Sequence, residues 1–128
     1  MKYLSGEEIL FVHSAIIDES GGVHGVRDLN LIMSLELLPR QSIGGQELYP
    51  SIFLKAAVYA RNIMTSHPFI DGNKRTSLTA AIVFLERNNY AFKGKEGSVE
   101  DFALRIVKNR LSLETIARWL ETHSKKKK

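Results

Sequence analysis

Apolar side chains recur along most of this chain at the spacing of one helix face, and short polar segments interrupt them. Apolar residues at every third or fourth position, bounded by capping residues, glycine or proline, are typical of amphipathic helices. With no strand-rich region and no internal repeat, the pattern indicates an all-α fold, a compact bundle of about six helices. The predicted helices cover residues 6–19, 29–38, 51–66, 74–88, 99–109 and 113–123.

Serine and aspartate side chains mark where several helices are expected to begin, because their oxygens can accept a hydrogen bond from the first turn. Glu8 follows three residues after Ser5, which is the spacing of a capping box. Pro39 is expected to end the second helix. The expected N-caps are Ser5, Asp28, Ser98 and Ser112.

Two segments depart from the helical period. Residues 39–50 contain two prolines, a Gly44-Gly45 pair and few apolar positions, which predicts a surface loop or a short hairpin flap. A loop of this kind often covers or binds a ligand, although a plain connection is nearly as well supported. Residues 90–92 are expected to be a short extended piece.

The third and fourth helices are expected to form the centre of the bundle. The third is rich in alanine, which allows close packing against a neighbour, and the fourth is apolar nearly all round, which is typical of a buried helix. The segment 67–73 therefore connects two core helices, which would hold its side chains in fixed positions.

Length and composition set the broad class. A chain of 128 residues suits one domain, which we assign to residues 1–124, and its 44% hydrophobic and 25% charged residues are ordinary for a globular protein. It has no cysteine, which excludes disulfides and thiolate metal sites. No signal peptide and no membrane span are expected, so a cytoplasmic protein is the default.

The charge points away from nucleic acid. Eighteen basic and fourteen acidic residues leave a net charge of +4, and Lys125 to Lys128 supply all four charges. Residues 1–124 are therefore neutral, and residues 125–128 are expected to be a disordered basic tail. We expect no direct contact with nucleic acid.

The segment from His67 to Thr76 has the features of an anion site. Pro68 moves the residue before it out of the helical region and so ends the third helix. Asp71, Gly72 and Asn73 follow as turn residues, and they deliver Lys74 and Arg75 to the first turn of the fourth helix. The first turn of a helix is already positive, so two cations there are unfavourable unless an anion offsets them.

This segment also contains most of the groups that phosphoryl or nucleotidyl transfer requires. His67 can accept a proton, and Asp71 offers a carboxylate for Mg²⁺. Gly72 and Asn73 can present free backbone donors, and the two following cations can bind phosphate.

Two residues outside the segment are less informative. His13 has no partner residues near it in the sequence, so a surface or half-buried position is favoured over a catalytic one. Arg27 could reach a phosphate across the molecule or pair with a nearby carboxylate, and we favour the carboxylate.

The run His67-Pro68-Phe69-Ile70-Asp71-Gly72-Asn73-Lys74-Arg75 resembles the signature of the Fic/Doc superfamily, His-x-Phe-x-Asp/Glu-Gly/Ala-Asn-Gly/Lys-Arg. The chain resembles the Doc (death-on-curing) branch more closely, because that branch has a lysine at the position of Lys74, where Fic enzymes have a glycine. The resemblance extends to an upstream Gly25-Val26-Arg27-Asp28 element and to the alanine-rich helix before the run, so it covers nearly the whole chain.

Two departures from the Fic pattern concern the nucleotide. Lys74 replaces a glycine, which removes close backbone access for one phosphate, and Leu78 stands where Fic adenylyltransferases have a second arginine. ATP is then expected to bind in a different pose. The resemblance to Doc implies an inverted nucleotide and transfer of the γ-phosphoryl group rather than AMP.

The resemblance also implies residue roles. His67 would be the general base, Asp71 would bind Mg²⁺, and Gly72 with Asn73 would form the anion-binding turn for ATP. Lys74 and Arg75 would neutralise charge on the transferred phosphate, which makes them catalytic as well as cofactor-binding. Phe69 would anchor the loop in the core.

The same resemblance implies partners. The target would be a threonine of elongation factor Tu, docked by strand addition on the 39–50 flap, so that translation stops. A Phd-like antitoxin would neutralise such a toxin by folding its disordered tail onto it.

Three other functions remain open at this point. A Fic-type adenylyltransferase would keep the fold and His67 but transfer AMP to a protein hydroxyl. A ribonuclease toxin would use His67, Lys74 and Arg75 without nucleotide or metal, although the neutral body and Asp71 argue against it. A non-enzymatic binding module would keep Asp71 only as a helix N-cap.

Overall fold

The computed structural model describes residues 1–128 and confirms the all-α prediction. Its six helices are α1 (Gly6–Ser20), α2 (Leu29–Ser34), α3 (Ile52–Ser66), α4 (Asn73–Arg87), α5 (Ser98–Asn109) and α6 (Leu113–Thr122). Two antiparallel strand pairs complete the fold: β1 (Ser42–Ile43) with β2 (Gln46–Glu47), and β3 (Tyr90–Phe92) with β4 (Ser124–Lys126). None of the helices is long and apolar enough to cross a membrane.

Helix α3 lies at the centre, as the alanine content predicts, and packs mainly against α4 and α6. Ala56, Ala57 and Ala60 are fully buried, so the backbones of neighbouring helices can approach closely. Tyr59 is also fully buried, with its ring 5.2 Å from that of Phe84 on α4, and its hydroxyl accepts a hydrogen bond from Leu4 N at 3.0 Å. Burial raises the pKa of Tyr59 to about 12.

The capping box predicted at Ser5 and Glu8 is present. Ser5 Oγ accepts from Glu8 N at 3.1 Å, and Glu8 Oε1 accepts from Ser5 N at 2.9 Å. This bond to the Ser5 backbone, followed by the ion pair with Arg87, holds the pKa of Glu8 below its usual range. The box fixes the start of α1 and, through Arg87, ties it to the end of α4.

The second helix is shorter than the predicted 29–38. Its α-helical part ends at Ser34, and the next turn uses tighter bonds, such as Leu37 N to Ser34 O at 3.1 Å, before a 3₁₀ turn at Leu38–Arg40. Pro39 explains this, because its ring would clash with the carbonyl group of Leu35 in a continuous α-helix. Asp28 is the N-cap, as predicted, with Oδ1 accepting from Leu31 N.

The N-cap prediction at Ser98 is wrong. Gly97 occupies the cap at φ +83°, Ser98 is the first helical residue, and its buried Oγ has no hydrogen-bond partner. Glycine adopts this positive φ without strain, so the chain can enter α5 directly from the turn. Ser112 caps α6 as predicted, accepting from Thr115 N at 3.2 Å.

The carboxyl-terminal lysines also differ from the disordered tail expected from the sequence. Lys125 and Lys126 lie in β4, opposite Ala91 and Tyr90. Lys127 N then donates to Asn89 O at 2.8 Å. Strand β3 offers unpaired backbone groups along its edge, and pairing with them orders a segment whose side chains gave no strand signal.

The predicted flap is a hairpin. Gly44 and Gly45 form its two-residue turn, both at positive φ, which matches the twist of paired strands. Lys55, buried in α3, reaches the base of the hairpin: its Nζ donates to Glu47 Oε1 at 2.8 Å and to Pro39 O at 3.2 Å. The hairpin is therefore anchored to the central helix.

Candidate active site

The loop 67–73, which carries most of the predicted site residues, starts where α3 ends. His67 is the C-cap of α3 and takes the left-handed conformation, φ +49° and ψ +60°, with its N–H donating to Ile63 O at 3.2 Å. Pro68 does remove His67 from the right-handed helical region, as predicted. The left-handed conformation is uncommon for a residue with a side chain, and here it turns the imidazole out to the surface, where it makes no hydrogen bond within the protein.

A segment preceding α2 supports the loop along its length. Arg27 N and Asp28 N both donate to Pro68 O, at 2.7 and 3.0 Å, and Ile70 N donates to Gly25 O at 3.1 Å. The Arg27 guanidinium donates from Nε to His67 O at 2.6 Å and from Nη2 to Ser66 O. The carboxylate pairing that we favoured from the sequence is therefore wrong, because the partners of Arg27 are the carbonyl groups of Ser66 and His67 at the end of α3.

Inside the loop, two side chains point into the protein. Phe69 is 1% exposed and anchors the loop in the core, as expected. Asn73 binds the backbone of Phe69 twice, accepting from its N–H at 3.0 Å and donating to its carbonyl oxygen at 2.9 Å. The amide side chain of Asn73 thus fixes the loop, and only its backbone N–H is available to an anion.

Helix α4 begins without a side-chain cap. Gly72 is its N-cap in the left-handed conformation, φ +78°, and the first bond of the helix runs from Thr76 N to Gly72 O. The N–H groups of Asn73, Lys74 and Arg75 have no partner in the protein, whereas Gly72 N–H donates to Asp71 Oδ1 at 2.8 Å. The N–H of Gly72, which we expected to be free, is therefore occupied, and the free backbone donors begin at Asn73.

Asp71 is exposed and held by two backbone donors, since its Oδ2 also accepts from Val23 N at 3.1 Å. It is not the N-cap of α4, which removes the one role that the binding-module alternative gave it. An ionised carboxylate has about four acceptor positions, so Asp71 keeps room for a cation. No cluster of three or more potential metal ligands exists in the protein, so a divalent cation at Asp71 would need other ligands to complete its shell.

The two cations differ in their surroundings. Lys74 is exposed and has no ion-pair partner. Arg75 Nη2 lies 3.6 Å from Glu100 Oε1 on α5, with both side chains nearly half exposed. A contact of this kind is weak in water, so an incoming phosphate can replace it.

Two grooves meet at this point. One, of about 370 Å³, is lined by His67, Ile70, Asp71, Gly72, Asn73, Lys74 and Arg75. The neighbouring groove, of about 570 Å³, shares His67 and Lys74 and continues along α3 and α5. The structure thus brings all six sequence-predicted site residues together at one surface, with an exposed imidazole beside the uncapped start of α4.

Sequence reasoning missed one residue that contacts this loop. His13 on α1 is 4% exposed, not at the surface, and its Nε2 lies 2.8 Å from Asp71 O. Its ring stacks on Phe69 with centroids 3.7 Å apart and planes 5° apart. The signal was its spacing, four residues after the buried Ile9 and three before the buried Ile16, which places it on the core face of α1.

These features define a class of protein. Residues 3–85, from the start of the chain through most of α4, match the Fic/DOC family, and the chain belongs to that family.

Two named relatives extend the comparison. The chain is 34% identical over 87 residues to Toxin Doc of Mycolicibacterium smegmatis, which covers 68% of this chain and 65% of that protein, slightly less than two thirds of its length. It is 28% identical over 118 residues to Protein kinase doc of Escherichia phage P1, which covers 91% of each chain.

Proposed function

We propose that this protein is the toxin of a toxin–antitoxin pair and that it transfers the γ-phosphoryl group of ATP to a threonine hydroxyl of a protein. The observation that carries the proposal is the exposed imidazole of His67 beside an uncapped helix end bearing Lys74 and Arg75. The similarity to Protein kinase doc over 91% of both chains and to Toxin Doc supports the same reading. Elongation factor Tu is the expected target, and translation arrest the expected result.

In this mechanism the threonine hydroxyl oxygen forms a bond to the γ-phosphorus of ATP and His67 takes the hydroxyl proton. The bond from the γ-phosphorus to the bridging oxygen breaks, and ADP leaves. The His67 imidazole has no competing partner in the protein, and the left-handed backbone at this residue projects it over the groove. The free N–H groups of Asn73, Lys74 and Arg75 would receive phosphate oxygens, and the two side chains would neutralise the charge that develops there. Catalysis of phosphoryl transfer needs little more than such positioning and electrostatic stabilisation.

Asp71 would bind Mg²⁺ through the lone pairs that its two N–H donors leave free. A magnesium ion held there would supply positive charge that offsets the negative charge of the ATP phosphates. The protein's own contribution is to fix the carboxylate: the bonds from Gly72 N and Val23 N determine how the carboxylate faces the groove.

The lysine at position 74 favours γ-phosphoryl transfer over the adenylyl transfer of Fic enzymes. A glycine at the second position of the helix would let a phosphate approach the backbone, whereas a lysine places a mobile point charge there. A cytoplasmic location and a Phd-like antitoxin belong to the same proposal, as does docking of the target by strand addition on the 39–50 hairpin.

The deciding experiment follows two labels. The protein is incubated with a cell extract, magnesium and ATP labelled at either the α- or the γ-phosphate. We expect only the γ label to reach protein, with a mass increase of about 80 Da on the target, against about 329 Da for AMP. Transfer of the α label would replace the kinase proposal with the adenylyltransferase, and RNA cleavage that resists chelation would replace both with a ribonuclease.

A further inference from the structure

His13 is far in sequence from the loop 67–73 and does not line either groove. It is nevertheless hydrogen-bonded to Asp71 in the middle of that loop. Its Nε2 lies 2.8 Å from the carbonyl oxygen of Asp71, 58 residues away. Because a carbonyl oxygen only accepts, Nε2 carries the hydrogen and His13 is the donor. We propose that His13 is a positioning residue that locks the Asp71–Gly72 peptide and thereby aims the Asp71 carboxylate; this inference rests on the proposed function for its catalytic consequence.

The first step of the argument is the geometry of the peptide unit. The peptide is planar and trans, so the Asp71 carbonyl and the Gly72 N–H point in opposite directions. With the carbonyl fixed toward His13 in the core, the N–H faces away from the core. There it donates to Asp71 Oδ1 at 2.8 Å.

The second step is the glycine. Gly72 has φ +78°, and glycine populates positive and negative φ about equally, so its own preference does not decide which way the preceding peptide faces. If this peptide turned over, its carbonyl oxygen would face the groove and Gly72 N–H would leave the carboxylate. A carbonyl oxygen that faces the groove would repel phosphate. The Asp71 carboxylate would also lose one of its two hydrogen-bond donors, the N–H of Gly72.

The third step is that the imidazole is itself held in place. It is 4% exposed, and its ring lies parallel to Phe69 at 3.7 Å, so it has little freedom to follow the peptide if the peptide moves. A Cβ at position 72 would lie 3.7 Å from Nε2 and 3.0 Å from Ile17 Cδ1, so α1 packs tightly under this turn. The donor thus lies on the buried face of α1 and has one hydrogen-bond partner, Asp71 O.

A core histidine that only fills space would be replaced equally well by any side chain of similar size. A positioning histidine would not. His13→Gln and His13→Met form a matched pair, because both place an unbranched chain in the same space and only glutamine keeps a donor at the position of Nε2. His13→Phe is a third variant, which keeps the stack on Phe69 and removes the donor.

Three readouts are taken on folded protein, checked by circular dichroism. In ligand-free protein, amide hydrogen exchange at Gly72 is expected to accelerate about tenfold in His13→Met and His13→Phe and to stay within about threefold of wild type in His13→Gln. The apparent affinity for Mg²⁺ together with a non-hydrolysable ATP analogue, measured by calorimetry, should fall about tenfold in His13→Met and His13→Phe. It should stay close to the wild-type value in His13→Gln. Transfer should show a raised KM for ATP with Mg²⁺ together with a smaller loss in kcat.

Equal behaviour of the glutamine and methionine variants at Gly72, or wild-type exchange in His13→Phe, would overturn the inference and leave His13 as packing. The proposed function fails separately. If wild-type protein transfers neither label but Gly72 exchange still separates glutamine from methionine, the positioning role stands and the kinase assignment does not.

Discussion

Arg27 and His67 are joined by a hydrogen bond of 2.6 Å from the guanidinium Nε to the carbonyl oxygen, across 40 residues of sequence. A second donor of the same planar guanidinium, Nη2, donates to Ser66 O. One arginine side chain therefore binds two carbonyl groups at the carboxyl end of α3. The backbone of the proposed general base is therefore fixed from outside its own helix.

Replacing Arg27 should loosen His67 without removing it. We expect Arg27→Ala to lower kcat about tenfold and the free energy of unfolding by about 1 kcal/mol, because charged hydrogen bonds at an exposed site contribute little to stability. Arg27→Lys, which lacks the planar guanidinium, should recover only part of the rate. Steady-state kinetics and urea unfolding measure both effects, with Arg118→Ala on the exposed side of α6 as control. An Arg27→Ala protein with wild-type kcat would show that the guanidinium does not position His67.

His67→Ala should abolish transfer and cellular toxicity while leaving the fold intact, because the exposed imidazole makes no hydrogen bond in the protein. The measurement is transfer of γ-labelled phosphate, beside growth after induction and a thermal melt. His24→Ala is the matched control: its side chain is 54% exposed and pairs only with Asp18. Full toxicity in a folded His67→Ala protein would remove the general-base assignment.

Lys74→Gly should weaken γ-phosphoryl transfer and permit AMP transfer, since it exchanges a side-chain cation for open backbone at the second residue of α4. Lys74→Ala separates the two effects, because it removes the charge without adding backbone freedom. Both variants are compared by the ratio of α to γ label on protein, with Lys95→Ala in the β3–α5 turn as a charge control. Unchanged phosphorylation in Lys74→Gly would contradict the inverted nucleotide pose.

Glu47→Ala should destabilise the protein by about 1–3 kcal/mol, because it leaves the buried Lys55 ammonium with Pro39 O as its remaining hydrogen-bond acceptor. Glu47→Gln keeps an acceptor and should cost less. The free energy of unfolding in urea gives both values, and a Lys55→Met background should suppress the difference between them. If Glu47→Ala were neutral in the wild-type background, the ion pair would not anchor the hairpin.

Alkaline pH should destabilise the protein through Tyr59. Its pKa is about 12 in the folded state and near 10 when the chain is unfolded, so the unfolded state loses its proton first. The stabilisation is complete below about pH 10 and is lost as the pH rises toward 12, at about 1.4 kcal/mol per pH unit for this group. Tyr59→Phe should lose this part of the pH dependence, measured by denaturant unfolding between pH 8 and 12, a range chosen to bracket both values. An unchanged slope would contradict the assignment.

Local chemistry explains why most of the fold was predictable from sequence. The Ser5–Glu8 box, the alanines of α3 and the Gly44-Gly45 turn each act within a few residues, so their patterns determine structure without knowledge of the rest of the chain. The loop from His67 to Arg75 was predictable for the same reason.

Contacts between distant segments were not predictable in this way. Nothing near His13 in sequence indicates that it meets Asp71, and nothing near Arg27 indicates that its partners are carbonyl groups at the end of α3. The lysines of β4 were misjudged because the strand is ordered by the free edge of β3 rather than by its own side chains. The residue roles at the site remain predictions until transfer is measured.

The anchoring of the hairpin has a geometric consequence. Lys55, which binds the hairpin, and His67, the proposed general base, belong to the same helix and its cap, twelve residues apart in sequence. At 1.5 Å per residue, α3 sets an axial offset of about 18 Å between them. Under the proposed function, a target that docks on the hairpin would have to carry its hydroxyl at about this distance along the chain to reach His67.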